Sequence, residues 1–440
     1  MEIRETKDLL RKLKPILGRK TDALWLDAIL PNNNQFSTDL LRIAADRWSQ
    51  IDFSRAIRLP PPEKHKLAGQ YNLGTVIYPD TEYSRFSLHE NELPKHIFIC
   101  GMTGTGKTNL SFRILQELAR HRKPFLVFDW KRNYQSLTQL PELSDIQLIR
   151  PGSSGCSFCF NPLIPPPNTD PKHWMAMLVD VIKHAFFVGH GVEFFLRKGI
   201  AELYERYGIQ KGKPLHPTFT DLEKLLQKEF AKGRESLWMS SAKRVLASLT
   251  FSGLLGDVLN VRTQPPIEAL LDKNVVLELD NLATIEKVFF VEALLLWIYQ
   301  YRKNNTNNRE QFQHAIVIEE AHHILSSKKE HMEGEETVIE TIIRMIREFG
   351  ESVIVIDQEP SKVSNSILAN TYCKVSFNLG NGKDIETISR SMSLNQEERE
   401  YIDLLGVGHA ILKLKDRFSQ PVHLRVPLVG IDKNMPVGTP

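Results

Sequence analysis

The chain has 440 residues, 42% hydrophobic and 25% charged, enough to bury one large core and a smaller accessory region. Its 56 basic and 53 acidic residues leave a net charge of +3, which neither demands nor forbids a polyanionic partner; nucleic-acid contact would need a local basic surface. The four cysteines include one close pair, Cys156 and Cys159, without the second pair that a zinc tetrad requires.

The amino terminus, MEIRETKDLLRKLK, mixes charges into an apolar pattern and lacks the continuous apolar stretch of a signal peptide, so a cytoplasmic location is expected. Residues 1–64 read as a helical region and linker, ended by Pro60-Pro61-Pro62 and a charged stretch. Residues 65–92 form a small β extension: Asn72 to Pro79 and Ser84 to Leu88 alternate apolar and polar residues around Asp80-Thr81-Glu82, as a hairpin does. From 93 to 430 short apolar runs recur between helical segments: HIFIC, FLVFD, IQLI, VVLEL, AIVIE, SVIVID and KVSFNL. Runs without alternation suit parallel strands covered on both faces, which makes the fold class α/β. A mainly helical insertion occupies 170–255, HAILKLK and PVHLRVP predict a closing hairpin, and 431–440 is a tail. The most apolar run, Val288 to Trp297, is too short to cross a bilayer, so no membrane partner is expected.

Gly101-Met102-Thr103-Gly104-Thr105-Gly106-Lys107-Thr108 matches the eight-position P-loop between a strand and a helix. Glycines let successive backbone N–H groups of Gly101, Thr103, Gly104, Thr105 and Gly106 face phosphate oxygens, and the helix beginning with Asn109 adds a favourable field. Lys107 is predicted to reach the β and γ phosphates of ATP, and the Thr108 hydroxyl to join the coordination of Mg2+. Ala315 to His322 reads as an apolar strand ending in two carboxylates. Glu319 is expected on the metal side and Glu320 on the attacking water, because adjacent side chains leave a strand end in different directions. Glu319 stands where Asp is usual, one methylene too long for the ordinary water-mediated contact. His322 and His323 lack the spacing that sets two imidazoles on one helical face for a metal. Gln358 follows another buried strand and is predicted to share the crevice with the P-loop and Glu320. Arg347, at the end of an amphipathic helix, is a candidate finger into a neighbouring subunit's site, with Arg344 one turn earlier as the competitor.

In their order, these residues resemble the HerA/FtsK superfamily of ring-forming DNA motors, and most its HerA branch, over roughly 74–426. The strand end Phe128-Asp129-Trp130-Lys131, the Glu-Glu-Ala-His box and Gln358-x-Pro360 carry the likeness with the P-loop. It implies a RecA-like P-loop ATPase core, with Lys107 and Thr108 as Walker A residues, Glu319 and Glu320 as the Walker B pair, Gln358 as polar sensor and Arg347 as trans-acting finger. It also implies a homohexamer around DNA that works with a nuclease in end resection or phage defence. No nuclease motif is evident, so a separately encoded effector is expected, docked on residues 1–90. The sequence departs from relatives after Asp129, where Trp-Lys-Arg-Asn-Tyr replaces a common Gly-Glu-Tyr. An ATP-switched scaffold that activates an effector without much translocation is the alternative. A conjugative coupling or secretion ATPase shares the core but usually brings membrane spans, and none is visible.

Overall fold

A computed structural model describes residues 57–153, 155–251, 255–305, 311–326 and 337–431. The helical region expected before residue 57 and the tail after 431 lie outside the described residues. The chain begins with the hairpin β1 (Tyr71–Ile77) and β2 (Glu82–Leu88), then enters β3 (Ile97–Cys100), which leads through the glycine-rich loop into α1 (Lys107–Arg120). β4 (Phe125–Asp129) and β5 (Gln147–Ile149) precede the helical stretch α2 (Pro171–Phe186), α3 (His190–Tyr207), α4 (Phe219–Lys228), α5 (Arg234–Thr250) and α6 (Leu255–Leu259). β6 (Asn274–Glu278), α7 (Thr284–Asn305), β7 (His314–Ile318), α8 (Val338–Ile346), β8 (Glu351–Asp357), α9 (Asn365–Asn370) and β9 (Cys373–Ser376) follow. The chain then runs through α10 (Gly382–Ser391) and α11 (Gln396–Leu404) to the hairpin β10 (His409–Leu414) and β11 (Val422–Arg425).

All seven unalternating apolar runs are strands, and they form one parallel block in the order β9-β3-β8-β7-β4-β6-β5. β10, β11, β1 and β2 continue the sheet antiparallel from β9, so the hairpin of residues 71–88 is joined to the main sheet through β11. Successive side chains on a strand point to opposite faces. Phe98, Cys100, Leu126 and Phe128 accordingly face a core built with α2 to α8. Ile97, Ile99, Phe125 and Val127 face a second core built with α1 and the β1–β2 hairpin. Both faces are sealed along these strands except at the partly exposed edge strand β5, which is why the inner strands carry no polar alternation.

The run Val288 to Trp297 lies inside α7, apolar around its circumference because helices cover it on several sides. Among the described residues no helix is long and apolar enough to cross a membrane. Helix starts are fixed locally: Asp170 caps α2 ahead of Pro171, while Thr218 with Asp221 and Thr337 with Glu340 form capping boxes on α4 and α8.

Candidate active site

The parallel strands end at one edge of the sheet, where α/β folds bind ligands, and a cleft of about 1470 Å³ opens there. Lys107, Thr108, Lys131, Glu319, Glu320 and Gln358 are among its lining. The P-loop turns out of β3 with left-handed φ values at Gly104 (82°) and Gly106 (125°), which a side chain rarely adopts. A Cβ at Gly106 would meet the Phe377 ring at 2.9 Å, so the loop also needs glycine for its close approach to the end of β9. Backbone bonds from Met102 N to Asn378 O (2.8 Å) and from Gly408 N to Thr105 O (2.9 Å) hold the loop against its neighbours.

Lys107 is buried, and its Nζ donates to the carbonyls of Gly101 (2.6 Å) and Met102 (2.8 Å), inside the curve of the loop. Burial lowers its pKa, against the opposing pull of Cys100, Glu320, Asp357 and Glu319. The donor set suits a bound triphosphate: a desolvated ammonium at the mouth of a helix amino terminus. Asn109 lines the same cleft, but its amide is engaged by the chain after β11, donating to Pro427 O (3.0 Å) and accepting from Val429 N (2.9 Å). It ties α1 to that segment.

The two acids diverge as expected, for a reason the strand alone does not supply. Glu320 has φ 47° and ψ 44°, a left-handed conformation uncommon for a residue with a side chain. This turns consecutive carboxylates to different partners. Glu319 points into the buried side, where the Tyr134 hydroxyl donates to it at 3.1 Å. Burial, reinforced by the Asp129 charge, pushes the Glu319 carboxyl up to about 8. A divalent cation beside it would relieve both effects, and Thr108 shares the cleft. Glu320 faces the rim, where its Oε1 accepts from Lys131 Nζ (2.5 Å) and Gln358 Nε2 (2.6 Å). Thr103 Oγ1 donates to Gln358 Oε1 at 2.7 Å, so P-loop, amide and carboxylate form one hydrogen-bonded chain. Burial opposes the charge on Glu320, but Lys131 and Gln358 lower its pKa overall.

Several participants were assigned no role from the sequence. Asp129 at the end of β4 is fully buried and accepts from the backbone N–H groups of Lys131 and Tyr134, both at 3.0 Å. Asp357 at the end of β8 accepts from His322 N (2.7 Å) and faces its Nδ1 (3.0 Å). His323 stacks on Trp130 with ring centres 4.8 Å apart. Both imidazoles thus have structural partners, and among the described residues no group of three or more His, Cys, Asp or Glu is placed to hold a metal. The available signal was position: Asp129 and Asp357 are each the last residue of a parallel strand. Arg347 and Arg344 are exposed and are not brought to this cleft. Arg347 opens the turn before β8, at the opposite edge of the sheet, near His96 at the start of β3.

A parallel RecA-like sheet carrying a phosphate-binding loop, with an acid pair and an amide meeting it at the strand ends, defines a P-loop ATPase. The chain belongs to the family described as helicase HerA, central domain, whose model matches residues 71–374. The DNA double-strand break repair helicase HerA of Sulfolobus acidocaldarius is 24% identical over 358 residues, covering 78% of this chain and 67% of the relative. Among solved structures, VirB4 of Thermoanaerobacter pseudethanolicus superposes with a TM-score of 0.63 at 16% identity, covering 85% of this chain and 99% of that one. The plasmid coupling protein TrwB bound to a non-hydrolysable ATP analogue gives 0.61 at 14% identity, covering 87% and 97%. At these identities the two likenesses concern the fold.

Proposed function

We propose that the chain is an ATP-driven DNA translocase or helicase that assembles as a cytoplasmic homohexamer and serves a separately encoded nuclease or other effector. In this reading Lys107 binds the β and γ phosphates, Glu320 accepts a proton from the attacking water, and Gln358 senses the γ phosphate through Thr103. Thr108 and Glu319 would hold Mg2+, which supplies charge neutralisation on the phosphate oxygens. Arg347, exposed on the edge away from its own cleft, is available to a neighbouring copy as a finger, with Arg344 as its competitor.

The observation that carries the DNA half is a second cleft, of about 630 Å³, at the sheet edge opposite the P-loop. Lys374, Lys383, Arg390, Lys413 and Lys415 line it against a single acid, Glu386, which is already paired with Arg390 at 2.5 Å. Lys374 is buried; its desolvation, with Lys413 and Lys415 nearby, lowers its pKa to about 8. Such a surplus of cations suits a phosphodiester backbone. The family relative named for DNA double-strand break repair supports the same reading.

The test is hydrolysis of ATP by the purified full chain with and without duplex DNA, together with native mass spectrometry in nucleotide at low salt. DNA-stimulated turnover by a six-membered assembly is expected. A monomer with no DNA response would overturn it. The alternative, an ATP-switched scaffold, gains from the engagement of Glu320 by Lys131, which favours slow turnover. Glu320→Gln separates the two: a motor loses DNA movement, whereas a scaffold keeps assembly and effector activation.

A further inference from the structure

Lys131 lies two residues past the end of β4, half exposed at the rim of the nucleotide cleft, with 53% of its side chain accessible against 15% for Glu320. Its ammonium and the Gln358 amide donate to the same oxygen of Glu320, at 2.5 and 2.6 Å. A carboxylate oxygen offers two lone-pair sites, so Oε1 is filled. Oε2 has His322 Nδ1 at 3.9 Å, too far for a hydrogen bond but close enough for attraction. A general base must present a lone pair to water, and an ammonium in contact both occupies one and weakens the other. The two donors differ in what holds them. Gln358 is fastened to the P-loop through Thr103, whereas Lys131 reaches in from the rim on a long flexible stem.

We propose that Lys131 is a latch on Glu320, a positioning residue that occupies one oxygen of the carboxylate and weakens the other as a base for the attacking water until the ammonium is drawn away. Its position suits the role, because the turn after Asp129 is pinned by backbone bonds to that buried carboxylate while the Lys131 side chain remains outside it. The left-handed backbone of Glu320 aims its side chain at this turn rather than along β7. The inference rests on the reading of Glu320 as the base for ATP hydrolysis.

Two measurements on the full chain test it. The first is steady-state ATP hydrolysis without DNA for the wild type, Lys131→Met and Lys131→Arg. Release of the base predicts turnover in Lys131→Met raised by about tenfold, with KM within about twofold, and Lys131→Arg held near the wild type. Turnover in Lys131→Met equal to or below the wild type overturns the latch. The second needs no nucleotide: acetylation of Lys131 by an amine-reactive ester, followed by peptide mass spectrometry, in the wild type and Glu320→Gln. Loss of the ion pair predicts labelling faster by about threefold or more in Glu320→Gln. Equal rates overturn the pairing. A wild type and Lys131→Met that both fail to hydrolyse ATP would overturn the base assignment and the latch with it. An active wild type with unchanged Lys131→Met would overturn the latch alone.

Discussion

Glu351→Gln should weaken the scaffold that aligns the acid pair with Gln358. Glu351 begins β8 and is fully buried, accepting from Arg302 Nε at 2.5 Å and facing His314 Nδ1 at 2.7 Å. His314 begins β7, and Arg302 lies in the last turn of α7. One carboxylate thereby joins the amino ends of the two strands whose carboxyl ends deliver Glu319, Glu320 and Gln358. Burial by itself would raise its pKa, but the His314 and Arg302 charges reverse this and hold it at about 2, against an ordinary 4.5. That difference corresponds to about 3 kcal/mol of stability at neutral pH. Because the folded pKa is the lower one, the contribution is complete above about pH 4.5 and is lost as pH falls towards 2. The substitution keeps the side-chain volume but strands the buried Arg302 guanidinium and removes the charge that faces His314 Nδ1, a change that costs about 3–5 kcal/mol. Urea denaturation followed by far-ultraviolet circular dichroism, at pH 7 and at steps down to pH 3, measures both effects. A loss of about 3 kcal/mol at pH 7 with a flatter acid limb is expected. A loss below about 1 kcal/mol, with an acid limb parallel to the wild type, would refute the assignment of that energy to this triad.

Lys107→Ala should abolish binding of a fluorescent ATP analogue in titrations, while the melting temperature stays near that of the wild type; normal binding would remove the foundation of the nucleotide site. With its pKa pushed up to about 8, Glu319 would have to release a proton at neutral pH to take the proposed place on Mg2+. Calorimetry of Mg-ATP binding in buffers of different ionisation enthalpy should therefore show proton release, with affinity rising from pH 6 to 8, and chelation of the metal should erase both. For the basic cleft, charge reversal of Lys383 or Arg390 should reduce the slope of log affinity for duplex DNA against log salt by about 0.9 for each phosphate no longer neutralised. The same affinity should fall as pH rises through about 8, where Lys374 loses its proton. A slope and pH profile unchanged in these variants would place the DNA elsewhere.

Much of the scaffold was legible because its signals are local. Each unalternating run became a parallel strand, since sealing both faces of a sheet leaves no solvent-facing row for alternating polar side chains, and the buried polar groups that remain sit at or near strand ends with partners. The P-loop could be placed from its glycines and flanking elements, and the meeting of Glu320 with Gln358 followed from the rule that ligand groups gather at the carboxyl ends of strands. The partners of these groups were not legible. Lys131 and Glu320 are separated by 189 positions, and only the neighbouring of β4 and β7 brings them together. Tyr134 and Glu319 meet through the same pairing, 185 positions apart.

The sequence alone therefore determined the chemistry available: a phosphate cradle, an ammonium, a hydroxyl, two carboxylates and an amide, each at the end of a strand or the start of a helix. Short-range sterics and periodicity suffice for that, because a P-loop or a buried strand is specified within a few residues. Tertiary structure decided how those groups are engaged. The left-handed turn at Glu320 sends one acid to the buried side and the other to Lys131, and the antiparallel addition of β10 to β9 assembles the basic cleft at the opposite edge. Arg347 was placed on that far edge for the same reason: the end at which a residue meets the sheet depends on strand direction and order, which long-range pairing fixes.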